Sequence, residues 1–223
     1  QSRGRNAHGS TERYAGGGQN RKTVMTQQRP DTLFYYVFIG GLIAGTLIRL
    51  GTRSGSGKHI GKPTVDSFLL GCTFTGMGVI PFVYIFTSAL NRFSYTLPLW
   101  SGYVGSVLLS GSLLLLWRAH SDLGQNWSIT PRIIPDQHLI INGVYHHLRH
   151  PIYAAYWLWA LAQPLLLHNW LAGFSMAAAY TPLYFHRVPR EERILLQAFG
   201  EQYREYMRST PGIIPLKKSL SGK

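Results

Sequence analysis

The chain has 223 residues and a net charge of +13; 45% of its residues are apolar and only 14% are charged. Ordinary soluble domains carry about 25% charged residues, so this composition argues against a soluble globular class. The basic residues fall between apolar blocks, which argues against nucleic-acid binding, and the single cysteine, Cys72, excludes an intrachain disulfide and disfavours a thiolate metal site.

The first 24 residues are rich in Gly, Arg, Ser and Asn and have no periodicity. They read as a disordered, dispensable or vector-derived tail, with Met25 as a natural start. Three apolar runs follow. Leu33–Leu50 is charged only at Arg49, Val65–Leu90 carries Asp66 at its edge and Pro81 inside, and Leu99–Trp117 has no charge. Each is near the roughly 20 residues that a membrane-spanning helix needs. Residues 25–118 thus form a three-helix membrane region. Gly41, Gly45, Gly102, Gly105, Ser106 and Ser110 predict close helix approaches within the chain.

A fourth apolar run, Pro151 to Phe185, has 35 residues without Asp, Glu, Lys or Arg. At about 1.5 Å per residue it is too long for one span. His168, Asn169 and Trp170 divide it, which predicts a tight helical hairpin and about five spans in total. Arg53, Lys58 and Lys62 after the first span, Arg118, Arg132 and Arg149 after the third, and the basic C-terminal part place those segments in the cytoplasm and the N-terminus outside. Beyond the hairpin, Ile194, Leu195, Ala198, Phe199, Tyr203 and Tyr206 outline one apolar face of an amphipathic helix, weakened by Gly200 and ended by Pro211 and Pro215. The predicted fold is all-α: an integral membrane protein with a terminal hairpin and a cytoplasmic C-terminal helix.

The stretch YHHLRHPIY, Tyr145 to Tyr153, stands at the mouth of that hairpin. His146, His147 and His150 resemble one histidine box, but His120, His138, His168 and His186 stand singly and no second box exists, which disfavours a metal centre. His146 and His147 read as a polar cap at the membrane surface. Pro151 suits the first turn of a helix, because its missing N–H would be orphaned there in any case. The free N–H groups of that turn, beside Arg149 and His150, make an anion-binding spot. Arg187 and Glu191 are four residues apart and share a helix face, and the hairpin returns them towards His150. Glu192 and Arg193 also read as a solvated charge run.

Taken together, DLGQNW (122–127), GVYHHLRHPIY (143–153), LW (158–159), the spacing of Gln163 from Asn169 and Trp170, RVPREE (187–192) and FGEQYREYMRSTPGIIP (199–215) resemble the isoprenylcysteine carboxyl methyltransferase family, in particular its compact prokaryotic five-span members. The resemblance covers residues 115–216 and implies that 119–223 form a catalytic region binding S-adenosylmethionine (SAM). It implies cofactor contacts at Gln137, His138, Leu139 and Ile140, at Tyr145, at His150, Pro151, Ile152 and Tyr153, and at Glu191. Gln137 departs from the family's histidine, with His138 one place later, and Ala155 stands where relatives carry glycine. Arg187 is the implied catalytic residue, facing the acceptor. The implied acceptor is a prenylated peptide or lipid-modified small molecule that arrives through membrane lipid; neither metal nor nucleic acid is implied. The expected setting is a bacterial or archaeal cell membrane, with the site on its cytoplasmic face. Alternatives are a methyltransferase acting on phospholipid amines, small thiols or other lipids, and an NADPH-dependent sterol-type reductase. The reductases carry an RHxNY-like element and an Arg–Asp pair where this chain has His–Pro and Glu–Glu.

Overall fold

A computed structural model describes residues 31–51, 65–124 and 138–215. Their elements are α1 (Asp31–Gly51), α2 (Val65–Phe74), a π-helical segment (Thr75–Val79), α3 (Ile80–Phe86), a 3₁₀ turn (Asn91–Phe93), α4 (Leu99–Leu123), a second 3₁₀ turn (Gly143–His146), α5 (Pro151–Leu167) and α6 (Trp170–Ser209). Among the described residues there is no strand, only an isolated bridge between Ser94 and Asn169. Thr32–Gly51, Val65–Phe86 and Leu99–Leu123 are long and apolar enough to cross a membrane. Their outward faces expose Ile43, Leu47, Phe68, Phe82, Trp100 and Val107, as expected where the solvent is lipid.

Pro81 does not break the second span. It lies in the first turn of α3, after the π-helical segment. Proline has no N–H to return to the preceding turn, and a wider turn relieves the clash of its ring. The Gly76 carbonyl in that segment accepts instead from Gln163 Nε2 at 3.0 Å and from Ser175 Oγ at 2.6 Å. Gln163 is wholly buried and also donates to the Ala172 carbonyl at 2.6 Å. An element interrupted by proline is thus fastened to both arms of the hairpin by polar side chains, the buried Gln163 on one arm and the half-buried Ser175 on the other.

The hairpin divides where the sequence indicates. His168 takes a left-handed conformation (φ 48°) and closes α5. Asn169 caps α6, its side-chain oxygen accepting from the N–H groups of Leu171 and Ala172 at 3.1 and 2.9 Å. Its Nδ2 donates to the Leu90 carbonyl at 2.8 Å, which fixes the turn to the loop after α3.

Close approaches occur at the small residues. A Cβ on Gly102 would stand 2.1 Å from the Phe34 ring, and one on Gly41 would stand 2.6 Å from the Leu109 side chain, so each helix seats a large side chain of the other on its glycine. Ser112 Oγ donates to the Ala155 carbonyl at 2.7 Å and joins α4 to α5. Phe34, Phe38, Leu109, Trp159, Leu166, Met176 and Tyr180 fill the common core.

One expectation changes form. The C-terminal amphipathic helix is not separate: α6 runs on from the second hairpin arm to Ser209, through Pro182 and Pro189, and is kinked at Gly200 (φ 55°). That positive φ suits glycine, and the kink turns the last helical residues back over the hairpin entrance. Tyr203 and Tyr206 are buried, Ile194, Leu195 and Phe199 half-buried, and Ala198 exposed. The predicted apolar face therefore holds at its tyrosines and lapses at Ala198, just before the kink.

Candidate active site

The site is built where α5 begins and α6 leaves the bundle. The loop leading into α5 is pinned at two points. Gly143 has φ +62°, and a Cβ there would lie 2.1 Å from Asp122 Oδ2. The carboxylate of Asp122, near the end of α4, accepts from the Val144 N–H at 2.8 Å. Tyr145 is buried, and its carbonyl accepts from the Tyr206 hydroxyl. Further along, the N–H groups of Arg149 and His150 donate to the carbonyls of Pro211 and Gly212 at 2.9 and 3.0 Å. The chain beyond α6 thus lies against the entry of α5.

Arg149 completes this clasp. Its Nη1 donates to the carbonyls of Met207 and Thr210 at 2.8 and 2.9 Å, and its Nη2 to Glu192 Oε1 at 2.9 Å. The guanidinium fork suits such a task, since one planar group serves a carboxylate and the carbonyls at a helix end together. His150, only 7% exposed, meets the same Glu192 oxygen through Nε2 at 3.1 Å. The hydrogen bond from His150 is the largest of the influences that hold the Glu192 carboxyl below the usual carboxylate range; burial opposes it, and the charges of His150 and Arg149 add to it.

Glu191 behaves differently. Successive helical residues point about 100° apart, so Glu191 turns inward and accepts from the Tyr153 hydroxyl at 2.5 Å. Burial pushes its carboxyl above the usual range, against the hydrogen bond from Tyr153 and the positive fields of Arg187 and His150. Arg187, one turn earlier and 8% exposed, is close enough for its charge to act on Glu191 and Tyr153. A cation, a carboxylate short of solvation and a phenol therefore share one partly dry space.

Aromatic rings wall that space between α5 and α6. The His150 ring stands edge-on to Tyr153 with centroids 5.7 Å apart, and Tyr153 contacts Tyr184 at 5.9 Å. Trp157 packs edge-on against Tyr180 and Tyr184 at 5.3 and 5.8 Å. Such π-faces can receive a flat heterocycle or a soft cation. Below them, Asp66 accepts from Arg190 Nη1 at 2.8 Å and lies 3.2 Å from His186 Nε2, which ties the start of α2 to the same stretch of α6.

The structure brings together Tyr145, His150, Pro151, Tyr153, Arg187 and Glu191 of the expected set. Ile152 is half-buried on the first turn of α5. His138 is exposed, and Leu139 and Ile140 are half-buried on the segment approaching the 3₁₀ turn. Among the described residues no hydrogen bond ties these three side chains to the cluster. Gln137 lies outside the described residues. Sequence reasoning missed Arg149 as the clasp, Asp66 as the anchor, and Trp157, Tyr180 and Tyr184 as the wall. The i, i+4 spacing of Tyr180 and Tyr184, with Tyr153 and Trp157 repeating it on the facing helix, is a signal that could have found the wall.

The fold and site together define a class: an integral membrane helical bundle with a polar, aromatic-walled site at the mouth of its terminal hairpin. Residues 104–197 match the family model described as the isoprenylcysteine carboxyl methyltransferase (ICMT) family. The chain is 30% identical over 95 residues to the protein-S-isoprenylcysteine O-methyltransferase of Schizosaccharomyces pombe, covering 42% of this chain and 40% of that protein. Identity to the enzyme of the same name from Dictyostelium discoideum is 27% over 166 residues, covering 70% of this chain and 68% of that protein. The structure of the eukaryotic intramembrane Ras methyltransferase ICMT shares the fold at a TM-score of 0.55 and 18% identity, over 84% of this chain and 68% of that one. The chain spans 40% of the S. pombe protein and 60% of the Arabidopsis thaliana relative, protein-S-isoprenylcysteine O-methyltransferase B.

Proposed function

We propose that this chain is a SAM-dependent membrane methyltransferase that esterifies the carboxylate of an isoprenylcysteine-like acceptor, with its site on the cytoplasmic face. The observation that carries this reading is the meeting of Arg187, Glu191 and Tyr153 in an aromatic-walled space at the start of α5. SAM supplies, when bound, an electrophilic methyl group on a sulfonium. The residues present fit it: the N–H groups of the first turn of α5 suit its carboxylate, Glu191 its ribose hydroxyls or a cationic group, and the π-faces of Tyr145 and Tyr153 its adenine or sulfonium.

An acceptor carboxylate is already ionised at neutral pH, so the chain needs no general base. Its task is alignment and the exclusion of water. Arg187 would grip the acceptor carboxylate in a charge-assisted pair, one oxygen turned towards the methyl group. Trp157, Tyr180 and Tyr184 exclude water from the path of attack. The acceptor's lipid tail would enter between helices, because their outer faces are apolar. A site at the mouth of a membrane hairpin lets a water-soluble donor meet a lipid-borne nucleophile.

The test is transfer of radiolabelled methyl from SAM in detergent or vesicles. An N-acetyl prenylcysteine is compared with a phosphatidylethanolamine and a small thiol. Base-labile methyl ester on the prenylcysteine, lost in Arg187→Gln, supports the reading. Stable N- or S-methyl product with no ester refutes the carboxylate acceptor. An amine or thiol must first lose a proton, and Arg187 is a poor group to remove it.

A further inference from the structure

Tyr203 follows the Gly200 kink by three residues and is only 1% exposed. Its hydroxyl has no hydrogen-bond partner among the described residues. Leaving a buried hydroxyl unpaired is costly, and native folds rarely do so without reason. The neighbouring Tyr206, on the same helical stretch with ring centroids 6.0 Å away, shows the ordinary solution: its hydroxyl donates to the Tyr145 carbonyl. The stretch that carries Tyr203 lies against the site: Tyr206 reaches the Tyr145 carbonyl, and Arg149 clasps the carbonyls of Met207 and Thr210. Burial also keeps that phenol neutral. It therefore retains a proton to donate and a lone pair to accept.

We propose that Tyr203 is a further cofactor-binding residue: its hydroxyl hydrogen-bonds the methyl donor when the donor occupies the space beside Glu191. This rests on the reading of the chain as a SAM-dependent enzyme. The kink at Gly200 brings Tyr203 over the entry of α5, so donor binding and docking of the last turns of α6 become linked. A hydroxyl without a protein partner costs stability until a ligand satisfies it, and the ligand recovers that cost as affinity.

The experiment is titration calorimetry of the detergent-purified full chain with SAM and with its demethylated product, on wild type, Tyr203→Phe and Tyr206→Phe, alongside thermal unfolding of each without ligand. Tyr203→Phe should bind both ligands roughly tenfold more weakly, the scale of one good hydrogen bond. Its ligand-free Tm should stay level or rise, because the hydroxyl removed had no partner. Tyr206→Phe should lower the Tm, because it breaks a bond present in the free protein. Unchanged affinity in Tyr203→Phe, with wild type binding, overturns the proposal, and so does a Tm loss that matches Tyr206→Phe. If wild type binds neither ligand, the methyltransferase reading fails first and this proposal with it.

Discussion

Replacing Arg149 with methionine keeps most of the side-chain volume and removes the fork. Three hydrogen bonds go with it, to Glu192, Met207 and Thr210, at 2.8–2.9 Å. Glu192 is left with His150 as its hydrogen-bond partner. The side chains of Arg149 and Glu192 are 15% and 20% exposed, so water can relieve only part of the loss. Removing one partner of a buried pair typically costs about 3–5 kcal/mol, and the partial exposure here points to the lower end, about 3 kcal/mol. Arg149→Lys keeps the charge, but a point charge cannot reach a carboxylate and two carbonyls together, so about half that loss should remain. Unfolding in detergent measures the loss, and limited proteolysis should find the chain around residues 207–212 newly cleavable. In a double-mutant cycle, Arg149→Met and Glu192→Gln should couple by at least about 1 kcal/mol. An Arg149→Met variant within about 1 kcal/mol of wild type, with no new cleavage, would refute the clasp.

Other expectations follow from the same geometry. Because the folded Glu192 carboxyl titrates below its unfolded value, its contribution to stability is full above the ordinary carboxylate range of roughly 4 to 4.5 and is lost as pH falls through the lower folded value. The Tm should therefore drop below about pH 4.5, with a shallower drop in Glu192→Gln, as scanning calorimetry across pH would register. Gly143→Ala combines a left-handed backbone with a methyl group pressed onto Asp122, and should cost about 1–3 kcal/mol in detergent unfolding. Gly102→Ala forces the Phe34 ring aside and should cost about 1–3 kcal/mol, whereas alanine at Gly111, where nothing lies within 4 Å, should be nearly neutral by the same measurement.

Much of this architecture is legible in one dimension because the membrane imposes simple rules. A charge-free run too long for one span must turn, and the polar His168 and Asn169 mark where. Pro151 announces a helix start, and the return of the hairpin brings Glu191 and Glu192 back to His150. Local pattern could not assign separate tasks to those two carboxylates. Their division of labour depends on the rotation of α6 against α5, which packing decides. The solvated reading of Glu192 fails for the same reason: its partners Arg149 and His150 lie more than 40 residues away. Asp66 is harder still, since its partner Arg190 is 124 residues distant and follows from how α2 lies on α6. The kink at Gly200 is readable as a weak point, but its direction is not, and that direction lays the last turns of α6 against the entry of α5.

The central claim is that the space beside Glu191 receives SAM. Equilibrium titration of the detergent-purified chain with SAM, and separately with NADPH, tests it on wild type and on Glu191→Gln. The account predicts micromolar binding of SAM to wild type, a loss of at least tenfold in Glu191→Gln at unchanged Tm, and no binding of NADPH. Binding of NADPH without SAM, or SAM affinity indifferent to Glu191, would contradict it.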